Sequence, residues 1–207
     1  EMLSLMKRPL IILFAVFAFM YVMTEQGIMT WLPTFNQKVL HLNERLASQM
    51  AVILMLSIAF GRFISGIIVK KIHWHVFLTI CLFAAAGLIV FVLPMASNIE
   101  IKQIDTLSQV PLIGFVFPLI GLFLAPIYPI VNSTIISATE KNFHGAVAGL
   151  LTFFSAIGGT SGSVIIGYLF QKIGGSKAFY FSLIPLIILV AVLFFINKLN
   201  KKNEVLS

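Results

Sequence analysis

A single carboxylate, Glu25, lies within the stretch Met20–Leu32 (MYVMTEQGIMTWL), which is otherwise apolar enough to cross a membrane. No other acidic side chain falls in any of the six long apolar runs of the chain. A charge at the bilayer centre costs at least about 2.5 kcal/mol, so such a residue faces a partner or a water-filled cavity and marks a pathway. At about 100° per residue, Tyr21, Thr24, Glu25 and Trp31 fall within an arc of about 120°, while Gln26 and Thr30 point away. This polar and aromatic face reads as a cavity wall. The competing reading is a carboxylate paired structurally to a neighbouring helix.

Other residue types invite chemistry less strongly. Arg62 is the only other ionisable group deep in an apolar run. Counted from the ends expected to be cytoplasmic, it sits about 10 Å up and Glu25 about 24 Å up, so the two are not expected to pair directly. A structural or gating role at the interface suits Arg62 better than substrate binding. Tyr128 and Asn132 are one turn apart and share a face. Gly159-Thr160-Ser161-Gly162 fits the G-x-S-G of rhomboid-type intramembrane proteases, but none of the histidines, at 41, 73, 75 and 144, lies beyond Ser161 to activate it. His73 and His75 have no third ligand nearby, so they and Trp74 are read as a helix-end anchor and no metal is expected. No cofactor is expected, and Cys81 in its apolar run is read as an inert small hydrophobe.

The elements that hold these residues follow from composition. With 59% hydrophobic residues, 10% charged residues and 20 Phe in 207 residues, the chain has more apolar surface than a soluble domain can bury. Six runs are long enough to span a bilayer: Pro9 to Phe35, Leu46 to Val69, Val76 to Ala96, Val110 to Ala138, Gly145 to Phe170 and Ala178 to Ile196. The net charge of +7 resides in short loops and not in a continuous patch, which excludes nucleic acid as the partner and orients the chain in a lipid bilayer. Basic residues number 8 on the side of the termini and 5 on the other, so both termini are expected in the cytoplasm. The opening on Glu1 reads as part of a longer chain.

Two seams of small residues are expected to pack helices closely: Ser57, Gly61 and Ser65 in the second run, and Ser155, Gly158, Gly159, Gly162, Ser163 and Gly167 in the fifth. Pro111, Pro118, Pro126 and Pro129 interrupt the fourth run, which membranes tolerate where protein or water serves the freed carbonyls. The polar interruptions fall in the first and fourth runs, the corresponding members of two three-helix sets. That is the sequence pointer to a substrate site in folds built of inverted repeats. The fold class is therefore an all-α integral membrane protein of six transmembrane helices, arranged as two three-helix inverted repeats.

The runs YVMTEQGIMTWLPTF, AFGRFISGIIVKKI and YPIVNSTIISATEKNFHGAVAGLLTFFSAIGGTSGSVIIGYLFQKIGG resemble the C-terminal six helices of a major facilitator superfamily transporter, and are most similar to the fucose:proton symporter family. Gly61, Arg62, Gly66 and Lys70 resemble the C-half version of the superfamily signature between the second and third helices, without its Asp. The resemblance implies half of a major facilitator fold, alternating access against an N-terminal six-helix half outside this sequence, and a cavity lined by the first and fourth helices. It implies a sugar or similar small polar solute as substrate, the proton as coupling ion, and residence in the inner membrane of a bacterium. That family's coupling carboxylates lie in the N-terminal half, which points Glu25 towards substrate binding. Tyr21, Thr24, Glu25, Trp31, Tyr128 and Asn132 are the expected substrate-binding residues. Gly61, Arg62, Gly66, Lys70, Gly158, Gly159 and Gly162 are expected to be structural or gating. The competing functions are an intramembrane serine protease and a non-transporting six-helix scaffold.

Overall fold

The computed structural model describes residues 8–98 and 103–206. Lys7 and Lys102, counted in the charge asymmetry above, lie outside them, as do the side chains of Lys201 and Lys202. Among the described residues, six helical spans are long and apolar enough to cross a membrane: α1 (Pro9–Lys38), α2 (Glu44–Ile68), α3 (Trp74–Ala96), α4 (Leu112–Ser137), α5 (Lys141–Ile173) and α6 (Gly175–Leu199). No strand occurs among them beyond an isolated bridge between Leu42 and Ile104. The architecture is that of an all-helical membrane protein, consistent with half of a major facilitator fold.

Local sequence explains where the helices start and stop. Pro9 stands in the first turn of α1, where its missing N–H costs nothing. Asn43 caps α2 by accepting the Leu46 N–H at 2.8 Å, an arrangement typically worth about 1 kcal/mol. The same short loop is tied to the loop after α3: the Ile104 N–H donates to His41 O at 2.9 Å and the Asn43 N–H to Ile104 O at 3.0 Å. His41 adopts a φ of 55°, the left-handed region, to make this link. Gly174, at a φ of 87°, turns the chain from α5 into α6.

Of the four prolines expected to interrupt α4, Pro118 and Pro126 do so, whereas Pro111 precedes its first helical residue and Pro129 lies within its last helical segment. The span is helical over Leu112–Val116, tightens to a 3-10 turn at Phe117–Leu119, resumes over Ile120–Leu124, breaks at Ala125 and Pro126, and continues as Ile127–Ser137. Pro126 and Pro129 supply no N–H to the carbonyls one turn before them, Leu122 and Ala125. Gly61 of α2 packs on this irregular segment: a Cβ there would lie 2.5 Å from Leu122 O and 3.1 Å from the Ala125 Cβ. Gly121 answers from α4, where a Cβ would lie 2.9 Å from Leu54 O.

The most extensive interface joins α1 and α5. A side chain on Gly158 would run into Phe19 O, and one on Gly162 into Met23 O, so these two glycines let the backbones touch. Gly159 differs, since its Cβ would meet the Gln26 side chain at 3.1 Å and that of Val22 at 3.3 Å. The tight seam is thus Gly158–Gly162, with Gly159 on its shoulder. α1 also packs on α6, α2 and the second half of α4, which makes it the central helix. Phe63, Phe83, Phe91 and Phe194 stand exposed on the outside, as side chains facing lipid do.

Candidate binding site at the junction of α1 and α4

Tyr21 is fully buried, and its phenol meets two acceptor groups on different helices. Its hydroxyl lies 2.7 Å from Glu25 Oε1, one turn along α1, and 3.0 Å from Leu124 O, the last residue before the break in α4. Its ring stacks on Tyr128 with centroids 5.8 Å apart and planes inclined by 21°. The Tyr128 hydroxyl accepts a hydrogen bond from Ser155 Oγ of α5 at 3.2 Å. One turn after Tyr128, the amide oxygen Oδ1 of Asn132 is buried without a hydrogen-bond partner. Glu25, Tyr21, Tyr128 and Ser155 therefore form one polar and aromatic cluster contributed by α1, α4 and α5, with Asn132 one turn beyond Tyr128 on α4.

Arg62 stands apart from the cluster. It forms no salt bridge with Glu25, as the difference in height along the helices implied. It lines a groove of about 460 Å³ with Gly66, Trp74, Pro129, Ser133 and Thr134. Nothing stands within 4 Å of where a Gly66 Cβ would be, so this glycine opens space and Gly61 closes it. Lys70 is exposed just beyond the end of α2.

Thr24 and Trp31 are turned elsewhere. Thr24 is buried and returns its hydroxyl to Met20 O at 3.0 Å. Trp31 donates from Nε1 to Ser163 O at 2.8 Å, stacks on Phe170 with centroids 5.5 Å apart, and covers Gly167. Both polar groups are spent on the helix framework, and the arc drawn from helical periodicity splits between two neighbours. Gln26 and Thr30, expected to point away, lie on the α5 side: Thr30 Oγ1 is 2.8 Å from Ser163 Oγ, and Gln26 lines a groove of about 640 Å³ with Val22, Thr152, Ser155, Gly159 and Thr160. Ser155 was legible only as a small residue of the seam, and its bond to Tyr128 depends on tertiary placement. The Leu124 carbonyl carries no side-chain signal, although the nearby prolines mark its surroundings.

The protease-like motif is not brought near a base on its own helix. His144 lies about 25 Å below Ser161 by helical rise, and its Nε2 is engaged with Thr139 O at 2.8 Å. His73 and His75 have ring centroids 5.9 Å apart, and among the described residues no group of three His, Cys, Asp or Glu side chains comes together.

The family model of the Major Facilitator Superfamily matches residues 1–163 of the chain. The chain belongs to the Major Facilitator Superfamily. No curated protein matches it. Major facilitator proteins are typically membrane transporters and not enzymes, and they bind small molecules within the membrane. The six spans and the family together make this chain an integral membrane protein of that transporter class.

Proposed function

We propose that this chain is the C-terminal six-helix half of a secondary transporter that moves a sugar or similar small polar solute by alternating access, in symport with protons. In this reading it works against an N-terminal half of like size in the inner membrane of a bacterium, with both of its own termini in the cytoplasm. The observation that carries the proposal is the cluster of Tyr21, Glu25, Tyr128 and Asn132. Sugars present an apolar ring face and a rim of hydroxyls, and such a ligand wants aromatic surface beside mixed donors and acceptors. Tyr128, backed by the stacked Tyr21, supplies the first, and Glu25 with the unpartnered Asn132 Oδ1 supplies the second. A buried acceptor left without a donor costs about 1–3 kcal/mol, which a substrate hydroxyl would recover.

Within this reading Glu25 and Asn132 hold hydroxyls, half-buried Tyr128 holds the ring with fully buried Tyr21 stacked behind it, and Thr24 and Trp31 support α1 from behind. Arg62, Gly61, Gly66 and Lys70 belong to the gate formed by α2 and its loop. The proton is the proposed coupling ion because the chain resembles the fucose:proton symporter family, whose coupling carboxylates lie in the N-terminal half. The test is hexose uptake into proteoliposomes holding the full-length transporter, with and without an inward proton gradient. Gradient-driven accumulation that Asn132→Ala weakens about tenfold in apparent affinity is expected. Failure to accumulate any hexose or polyol would remove the sugar reading.

A further inference from the structure

The phenol of Tyr21 has one proton and two acceptors to satisfy. Its oxygen lies 2.7 Å from Glu25 Oε1 and 3.0 Å from Leu124 O, and both distances lie in the ordinary range for O–H···O bonds. If Glu25 were ionised, Tyr21 would give its proton to the carboxylate, and Leu124 O would then face a phenol oxygen with nothing to donate. If Glu25 carries a proton, each contact has one: the Glu25 carboxyl donates to the Tyr21 oxygen, and the Tyr21 hydroxyl donates to Leu124 O. The surroundings favour the second arrangement. Tyr21 is completely buried, and Arg62 of α2 makes no salt bridge to Glu25. From α4 the titratable group at the cluster is Tyr128, whose ring stacks on Tyr21, and the stretches 145–167 of α5 and 181–196 of α6 contain no titratable side chain. An ionised, unpaired carboxylate at this depth is the costlier state.

We propose that Glu25 is protonated in this conformation and that its proton works a latch: through Tyr21 it holds α1 to the Leu124 carbonyl, at the edge of the break in α4. Loss of the proton turns the Tyr21 hydroxyl towards the carboxylate and strips Leu124 O of its donor. The bond between the helices is then lost where α4 is least regular. Only a proton leaves or returns, exchanged with water, and no covalent bond other than the carboxyl O–H changes. The inference deepens the transport reading and rests on it for the latch's place in a transport cycle, whereas the protonation and the relay can be measured without a solute.

The test uses the full chain in lipid nanodiscs, as wild type, Glu25→Gln and Tyr21→Phe. Infrared spectra at neutral pH should show a protonated-carboxyl stretch that is lost in Glu25→Gln and moved to higher frequency in Tyr21→Phe, where the acceptor oxygen is gone. Hydrogen exchange, corrected for intrinsic rates, reads the relay in α4. Protection of the 120–130 segment should fall about fivefold, the effect of one lost hydrogen bond, as the carboxyl band bleaches with rising pH. Glu25→Gln, whose amide still donates to Tyr21, should keep that protection at every pH. Tyr21→Phe should lack it at every pH while retaining its displaced band. No band lost in Glu25→Gln would overturn the protonation, and wild-type protection in Tyr21→Phe would overturn the relay. Both signatures without any solute transport would overturn the transport reading alone.

Discussion

α1 meets α5 and α4 by opposite means. Against α5 it lays down a continuous backbone contact over Gly158 and Gly162, sealed at one end by Trp31 on Gly167 and its bond to Ser163 O. Against α4 it has no such seam. It meets a helix broken by Pro126 and reaches it with Tyr21, whose hydroxyl bonds Leu124 O and whose ring stacks on Tyr128. The first interface draws on dispersion and close approach, which tolerate no change of shape. The second rests on a few hydrogen bonds, which under the proposed function are exchanged for ones to a solute or lost with a proton. In that proposal α1 divides the tasks of strut and sensor between its faces.

Substitutions in the seam should have the largest effects. Gly162→Leu puts a branched side chain into Met23 O and should prevent assembly, seen as loss of the monodisperse species on size exclusion and of at least about 3 kcal/mol in reversible unfolding. Gly159→Leu meets side chains that can yield, and should cost less than Gly162→Leu in the same assay. Should the two prove equal, the division between tight seam and yielding shoulder is wrong. At the junction with α4, Tyr128→Phe keeps the stack and removes only the acceptor of Ser155, so a loss of about threefold in solute affinity with unchanged stability is expected. Ser161→Ala should leave transport and stability as they are, and complete loss of activity in a folded protein would bring back serine chemistry. In a topology assay, cysteines at Ser137 and Lys177 should be labelled from opposite sides of the membrane, Ser137 from the cytoplasm.

The contrast also explains what could be read from the chain. Spans and seams are local properties, since apolar run length and four-residue spacing survive without knowledge of neighbours. The six spans and the packing role of Gly158, Gly162 and Gly61 were legible for that reason. Helix ends were less so: α1 runs to Lys38, beyond Phe35, because the chain stays helical past Pro33. The junction needed tertiary information. Periodicity put Trp31 on the same arc as Tyr21, but α5 lies close enough to claim the indole, and Gln26 and Thr30 go with it. The partner of Tyr21 on α4 is a backbone carbonyl, which no residue type announces. Arg62 was judged by height along the helix, which forecast the missing salt bridge.

Solute binding by the full-length transporter bears most directly on whether the face of α1 towards α4 holds the substrate. Equilibrium titration with a hexose, comparing Glu25→Ala with Trp31→Phe, sets one face of α1 against the other. Loss of measurable binding in Glu25→Ala is predicted, with Trp31→Phe within about threefold of wild type. Binding kept by Glu25→Ala and lost in a folded Trp31→Phe protein would contradict the account and move the site to the α5 face.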